Sequence, residues 1–435
     1  MRDWSPDRVA QAAGARLVAP PPHAAGPARI VIDSRQVGHG DLFVGLTGGN
    51  VDGGRFAPQA LAAGAWGVLV GPSHADAARC AQPGALLATD DPLAALARLA
   101  TAWRRALGAK VIGITGSTGK TSTKDLLAGM LAPQCRVVAT AQNLNTEIGL
   151  PLTVLGAPPG TEVLVLEMAM RGAGQIAELA AIAEPDVGVI VNVGPVHLEL
   201  LGSVEAIAAT KAELIAALEP GGTAIVPAGE SLLEPHRRAD VHTVTFGPGG
   251  DVSELPDGLT VPFTSAHMGR NALAALAAAR AVGVEPTGAV NVALSNLRGQ
   301  RIELSRDIVV VNDCYNANPM SMRAALDDLA ASAPGRRVAV LGDMLELGPD
   351  EVRFHEEAGA RARMAGVDVL VTVGALARHM ADAFDGTGGH VVSADDARAA
   401  AEVVPGLLEP GDTVLVKASR GVGLEVVAQA LEAAA

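Results

Sequence analysis

Residues 113–124 read GITGSTGKTSTK. The apolar, β-branched run Lys110–Thr115 leads straight into these glycines, and Thr121–Leu131 continues with apolar residues at helical spacing. A buried strand that turns through glycines into a helix is what a phosphate cradle requires. Backbone N–H groups approach the anion, and the helix adds its positive dipole end. Gly116, Ser117, Thr118 and Gly119 supply the loop, and Lys120 a cation for the β- and γ-phosphates. Thr121, followed by Ser122, offers a hydroxyl suited to Mg²⁺. The common spacing G-x-x-x-x-G-K-[ST] would put its first glycine at Ile114, whereas here the glycines are Gly113 and Gly116. Strand, glycines, Lys-Thr and helix nonetheless coincide, which favours ATP over a glycine-rich turn that binds nothing.

A nucleotide held in this way needs a carboxylate on a neighbouring strand end to hold Mg²⁺. Glu167 closes the run VLVLE, and a lone acid there is costly to bury unless paired or metal-bound. A strand-end Glu in solvent is the competing reading. His197 follows the strand VGVIVNVG in GPVHLELLG, where strand ends face the ligand crevice, although a lone His is more often an ordinary loop residue. Lys211, in ATKAELIAAL, taken alone reads as a solvated helix residue. Buried near two Mg²⁺ ions, its ammonium form is disfavoured, and a neutral amine can take up CO₂ as a carbamate that ligates metal.

The elements that must position these groups fall into three blocks. Residues 1–108 are rich in Gly, Pro and Ala, with short apolar runs such as Ala28–Ile32 and Trp66–Val70. Residues 109–297 alternate strands with helices: Lys110–Thr115, Glu162–Met168, Asp186–Val193 and Thr223–Val226 read as strands, and Phe246–Gly258 as a long loop or hairpin. Residues 298–435 repeat the alternation. Ile308–Asn312, Arg337–Leu341, Val367–Val373 and Thr413–Lys417 are strand-like, between helices at Ser321–Ala331, Val352–Met364, Ala375–Phe384 and Ala397–Val403. This pattern predicts α/β domains with mainly parallel sheets.

Composition bounds the partners. The chain has 435 residues, 49% hydrophobic and 18% charged, enough apolar material for several cores, and with only 2% aromatics those cores must be aliphatic. A net charge of −14 disfavours nucleic acid and anionic lipid as partners. Cys80, Cys135 and Cys314 are odd in number and far apart, which fits neither a disulfide framework nor a zinc site, and a cytoplasmic location is expected. The N-terminus lacks the basic start and apolar core of a signal peptide, and the Ala/Leu run Ala272–Ala279 is too short to cross a bilayer.

Taken together, GSTGKT, NLNTEIGLPLT (Asn143–Thr153), LEMAMRGAGQI (Leu166–Ile176), NVGPVHLELLGS (Asn192–Ser203) and KAELI resemble the Mur ligase family. NDCYNANPMSM (Asn312–Met322) is similar to the MurF type of that family. LGDMLELG (Leu341–Gly348), His355, LVKASRGVGLE (Leu415–Glu425) and DSRQVGHGDLFVGLTG (Asp33–Gly48) extend the likeness over essentially the whole chain. The resemblance implies three domains: one for a UDP-sugar, a central P-loop domain for ATP, and a C-terminal Rossmann-like domain that closes over both.

It further implies an ATP-dependent amide ligase of peptidoglycan synthesis that joins D-alanyl-D-alanine to UDP-N-acetylmuramoyl-tripeptide through an acyl phosphate. By the same resemblance Thr121, Glu167, His197 and a carbamylated Lys211 hold two Mg²⁺, and Lys120, Lys211 and His197 are catalytic. Asn271, with His267 four residues earlier, falls on the adenine side, and Asp313, Tyr315, Asn316 and Asn318 form a nucleotide-facing loop. Tyr315, the chain's single Tyr, is placed to stack on the base. Ser34 and Arg35 contact the nucleotide-sugar, with Asp33 and Asp41 holding their loop. Asn143 lies on the substrate side, and Lys417 and Arg420 reach the peptide or phosphates on closure. Met268 and Met320 stand where polar and acidic residues are frequent, and Thr47 and Gly54 where basic ones are. A monomer is expected. The competing functions are another amino-acid ligase of the superfamily, a P-loop hydrolase or switch without ligation, and a binding module that kept the nucleotide cleft without catalysis.

Overall fold

The computed structural model describes residues 1–79, 82–263, 265–292, 297–384 and 388–433, and Cys80 lies outside them. In the first block, β1 (Arg16–Ala19), β2 (Arg29–Val31), β3 (Asp41–Val44), β4 (Gly67–Val70) and β5 (Ala85–Ala88) form a sheet in the order β1-β5-β4-β3-β2. Its pairs are parallel except β1 with β5. β4 and β5 are apolar and buried at every position, as strands covered on both faces must be.

The central sheet holds β6 (Lys110–Thr115), β7 (Val137–Ala139), β8 (Val163–Glu167), β9 (Val187–Ile190), β10 (Thr223–Pro227) and β11 (His242–Phe246). Their order is β11-β10-β9-β6-β8-β7 and every pair is parallel. The β6–β8 register sets Ile114 opposite Glu167, which brings that carboxylate beside the turn that begins at Gly116. A small pair, β12 (Leu259–Thr260) with β13 (Gly288–Ala289), follows.

The third sheet contains β14 (Gln300–Glu303), β15 (Val309–Asn312), β16 (Arg337–Gly342), β17 (Val369–Val373), β18 (His390–Ala394) and β19 (Thr413–Lys417). They run β14-β15-β19-β16-β17-β18, parallel apart from the edge strand β14. The strand–helix alternation read from the sequence is therefore present in both the central and the third block.

Six strands of these two blocks escape that reading: the short pair β12 and β13, and the edge strands β7, β11, β14 and β18. β7, β11, β14 and β18 each end a six-stranded sheet and are partly exposed; polar residues interrupt the apolar run in HTVTF, QRIE and HVVSA, and β7, VVA, is only three residues long. The expected Phe246–Gly258 loop does follow β11. It folds back tightly, with Val252 N–H donating to Thr245 O and the Asp251 carboxylate accepting from the Thr245 N–H and hydroxyl.

The helix Pro92–Leu107 joins the first block to the second. Asp91 caps it by accepting from Ala94 N–H, and Gly108 ends it at φ 64°. Its buried face, Ala95, Leu96, Leu99, Ala100 and Trp103, recurs at helical spacing. That face packs into one core with Trp4 and Leu87 of the first block and Leu150, Val154 and Leu179 of the second. Polar staples reinforce it: Trp103 Nε1 donates to Ala157 O at 3.0 Å and Arg104 Nε to Ala183 O at 3.0 Å. No described helix is long and apolar enough to cross a membrane.

Candidate active site

A cleft of about 2200 Å³ opens between the central and third sheets. The strand ends of β6, β8 and β9 carry one wall, including Ser117–Ser122, Glu167, Asn192 and His197. The other wall comes from the third block and includes Asp313, Tyr315, Asn316, Asn318, Lys417 and Arg420. Asn143 and Asn271 also line it.

The loop after β6 is held open from outside. Asn192 Oδ1 accepts from Thr118 N–H at 2.9 Å, and Ser117 Oγ donates to Gly194 O at 2.9 Å. Gly119 adopts φ +75° where the helix Lys120–Leu131 begins, and a Cβ there would lie 2.6 Å from Asn271 Oδ1. Only glycine suits both the backbone and that contact. Asn271, 5% exposed, thus sits against the phosphate loop. Lys120 Nζ donates to Gly116 O at 2.7 Å. The ammonium is densely surrounded, and burial pushes its pKa below the ordinary range, opposed by Glu167 and assisted by Arg298.

Glu167 is 1% exposed, so the solvated alternative for this carboxylate is wrong. Thr121 Oγ1 donates to its Oε2 at 2.8 Å and Asn145 Nδ2 to its Oε1 at 2.8 Å. Asn145 belongs to the NLNTEIG motif, two residues beyond Asn143, and sequence reasoning passed over it. Asn143 itself is exposed on the cleft wall.

Lys211 corrects the reading of it as a solvated residue: it is 1% exposed. Its helix, Val204–Ala216, is apolar on the face that meets the central sheet, and Lys211 lies on that face. Burial, with Lys120 adding repulsion, drives its pKa well below the ordinary lysine value. No hydrogen bond or ion pair engages it among the described residues.

His197 Nδ1 lies 2.5 Å from Glu346 Oε2, a third-block residue that the sequence reading quoted within LGDMLELG without assigning it a role. Burial lowers the His197 pKa while Glu346 opposes the shift. Among the described residues no three His, Cys, Asp or Glu side chains converge on a metal position. A cation here would use the Thr121 hydroxyl and the Glu167 carboxylate together with ligand oxygens. That hard, all-oxygen set fits Mg²⁺.

The third-block loop is more committed internally than the sequence suggests. Asn318 caps the helix Pro319–Ser332 in a reciprocal box with Ser321. Lys417, 1% exposed, donates to Asp313 Oδ2 at 2.6 Å and to Asn316 O at 3.0 Å. Tyr315 has one face covered by the Arg298 guanidinium, 3.8 Å from its ring centroid. Arg298 was read only as the start of the third block; no spacing or motif flagged it.

Ser34 and Arg35 lie away from this cleft, whose lining residues begin at Ser117. Arg35 is clamped by Asp33, whose pKa it lowers to about 2. Asp41 is buried and accepts from Arg29 and from Gly38 N–H. The space beside Gly54 is filled by His74, whose Nε2 lies 2.9 Å from Asp52 Oδ2.

Comparison with known proteins finds likeness along the whole chain. Residues 114–279 match the Mur ligase middle domain, residues 297–420 the glutamate ligase domain of Mur ligases, and residues 28–104 the catalytic domain of the Mur ligase family. The UDP-N-acetylmuramoyl-tripeptide–D-alanyl-D-alanine ligase of Synechocystis sp. is 38% identical over 417 residues, covering 92% of this chain and 91% of that protein. The ligase of the same name from Bacillus subtilis is 37% identical, with 92% of each covered. Among solved structures, MurF from Acinetobacter baumannii superposes with a TM-score of 0.87 at 28% identity, covering 99% of both chains. The MurF ligase of Thermotoga maritima in complex with ADP gives 0.81 at 30% identity, covering 93% of this chain and 97% of that one.

Proposed function

The chain belongs to the Mur ligase family, in its MurF branch, and from that premise we propose that it joins D-alanyl-D-alanine to UDP-N-acetylmuramoyl-tripeptide at the expense of ATP. The observation that carries this reading is the convergence of the phosphate loop, Glu167 and His197 on one cleft faced by Asp313–Asn318. In this reading the domains are residues 1–108, 109–297 and 298–435, and the enzyme works as a cytoplasmic monomer.

A carboxylate does not acylate an amine in water, because its leaving group would be oxide. Here the tripeptide carboxylate attacks the γ-phosphorus, giving an acyl phosphate and ADP. The D-alanyl-D-alanine amine then attacks the acyl carbon and phosphate leaves. Loop N–H groups of residues 116–121 and the Lys120 ammonium offset charge on the transferring group, a preorganised electrostatic contribution. Thr121 and Glu167 would hold one Mg²⁺, and His197 with a carbamate on Lys211 a second. Bound there, the ions would neutralise phosphate charge and align the acyl carboxylate with the γ-phosphate. The unpartnered, buried Lys211 amine supports the carbamate, because its neutral form is the one that takes up CO₂. Asn271 and Asn192 keep the loop rigid around the phosphates. Closure of the third domain excludes water from the acyl phosphate.

The test is ADP release by the purified chain with UDP-N-acetylmuramoyl-tripeptide, with and without D-alanyl-D-alanine. Sustained turnover that needs both is expected; nucleotide hydrolysis indifferent to either would remove the ligase reading.

A further inference from the structure

We infer that Glu346 is a positioning residue for His197: carried on the third domain, it fixes the imidazole tautomer on the central one. This rests on the ligase reading above and deepens it.

The Glu346 Oε2 lies 2.5 Å from His197 Nδ1. An ionised carboxylate only accepts hydrogen bonds, so Nδ1 carries the proton and Nε2 keeps its lone pair. That is the ring state a metal ligand requires, with a carboxylate behind the imidazole as its orienting partner.

The contact is built rather than incidental. Both residues sit in the left-handed region, His197 at φ +53° and Glu346 at φ +63°, where residues with a Cβ are held only by surroundings that over-determine them. The Glu346 loop is fastened within its own domain. Met344 N–H donates to His355 Nε2 at 2.9 Å, Leu345 N–H to Ser419 Oγ at 2.9 Å, and Ala377 N–H to Asp343 Oδ1 at 2.7 Å. On the other side of the carboxylate, Arg171 approaches Oε1 at 3.9 Å. The two domains also touch around the pair. Leu198, next to His197, packs against both cores, and Met320 Sδ occupies the space where Gly194 would carry a side chain. The orientation of a central-domain ligand is therefore set by where the third domain sits, and metal affinity and closure are linked.

The test uses the full chain with a non-hydrolysable ATP analogue, bicarbonate and Mn²⁺ as a paramagnetic stand-in for Mg²⁺. Free Mn²⁺ is titrated by electron paramagnetic resonance for the wild type, Glu346→Ala, Glu346→Gln and Arg171→Ala. Loss of an orienting partner costs ~10–100-fold in metal affinity, so one Mn²⁺ class should weaken by that factor in Glu346→Ala. Glu346→Gln should retain most of it, because its amide oxygen accepts the same N–H. Nitrogen-15 shifts of labelled histidine, with His197 identified by its loss in His197→Gln, should show the Nδ1–H tautomer in the wild type and a tautomer mixture in Glu346→Ala. Unchanged Mn²⁺ binding and an unchanged tautomer in Glu346→Ala would overturn the inference. If that variant does not fold, a full loss of affinity in folded Glu346→Gln would overturn it equally. A wild-type chain that binds neither analogue nor Mn²⁺ would remove the ligase reading itself.

Discussion

Thr121 and Glu167 are joined directly: the Thr121 hydroxyl donates to Glu167 Oε2 at 2.8 Å, linking the first turn after the phosphate loop to the end of β8. Two oxygen donors are thus gathered before any ligand arrives, and Asn145 holds the second carboxylate oxygen. Glu167→Ala should raise the Mg²⁺ requirement for ADP release steeply or abolish release. It also strips partners from a buried hydroxyl and an amide, so the melting midpoint should fall in line with a loss of about 1–3 kcal/mol per orphaned group. Unchanged Mg²⁺ dependence would remove Glu167 from the metal site.

Among the described residues Lys120 hydrogen-bonds only to Gly116 O, so its removal leaves the loop held by Asn192 and Ser117. Lys120→Ala should therefore fold normally and lose ADP formation by ~10²–10³-fold, the usual cost of deleting a preorganised electrostatic group. Ordinary turnover would dissociate the loop from phosphoryl transfer.

Lys211→Ala should be inactive, and added bicarbonate should not revive it, because the amine that would carry the carbamate is gone. A small carboxylate such as acetate, entering the vacated space, should restore part of the activity. A variant as active as the parent would make the buried amine purely structural.

The parallel sheets were legible because their central strands are continuous apolar runs, and Glu167 stood out because an acid closes one of them. Lys211 shows the limit. Its neighbours in sequence are small and apolar, and a single lysine on such a helix is normally at the surface. Only the packing of Val204–Ala216 onto the sheet buries it. Glu346 acts across the cleft on a residue 149 positions away, and Arg298 covers a ring 17 positions away within its own block; such contacts leave no periodic trace in sequence.

His355 predicts a pH dependence. Its Nε2 accepts from Met344 N–H and its Nδ1 lies 2.6 Å from Glu351 O, which requires the neutral ring, and burial lowers its pKa from the ordinary 6.5. The unfolded chain takes up the proton first as pH falls, so the stabilisation is present above pH 6.5 and declines from there toward the lower folded pKa. The protection factor of the Met344 amide, that is its exchange relative to the intrinsic rate at the same pH, should fall on going from neutral to mildly acidic pH. His355→Leu should show fast exchange at both and be less stable by about 1–3 kcal/mol, the cost of an unpaired buried N–H. A protection factor insensitive to pH in the parent protein would refute this.

The helix Pro92–Leu107 has a mechanical consequence. Its side chains bond to main-chain carbonyls at Ala157, Ile182 and Ala183, so the first sheet and the phosphate loop ride on one rigid frame. The span between them behaves as a gauge of constant length. On the proposed ligase reading, a molecule anchored at one end can present its far terminus at the other only if its own reach matches.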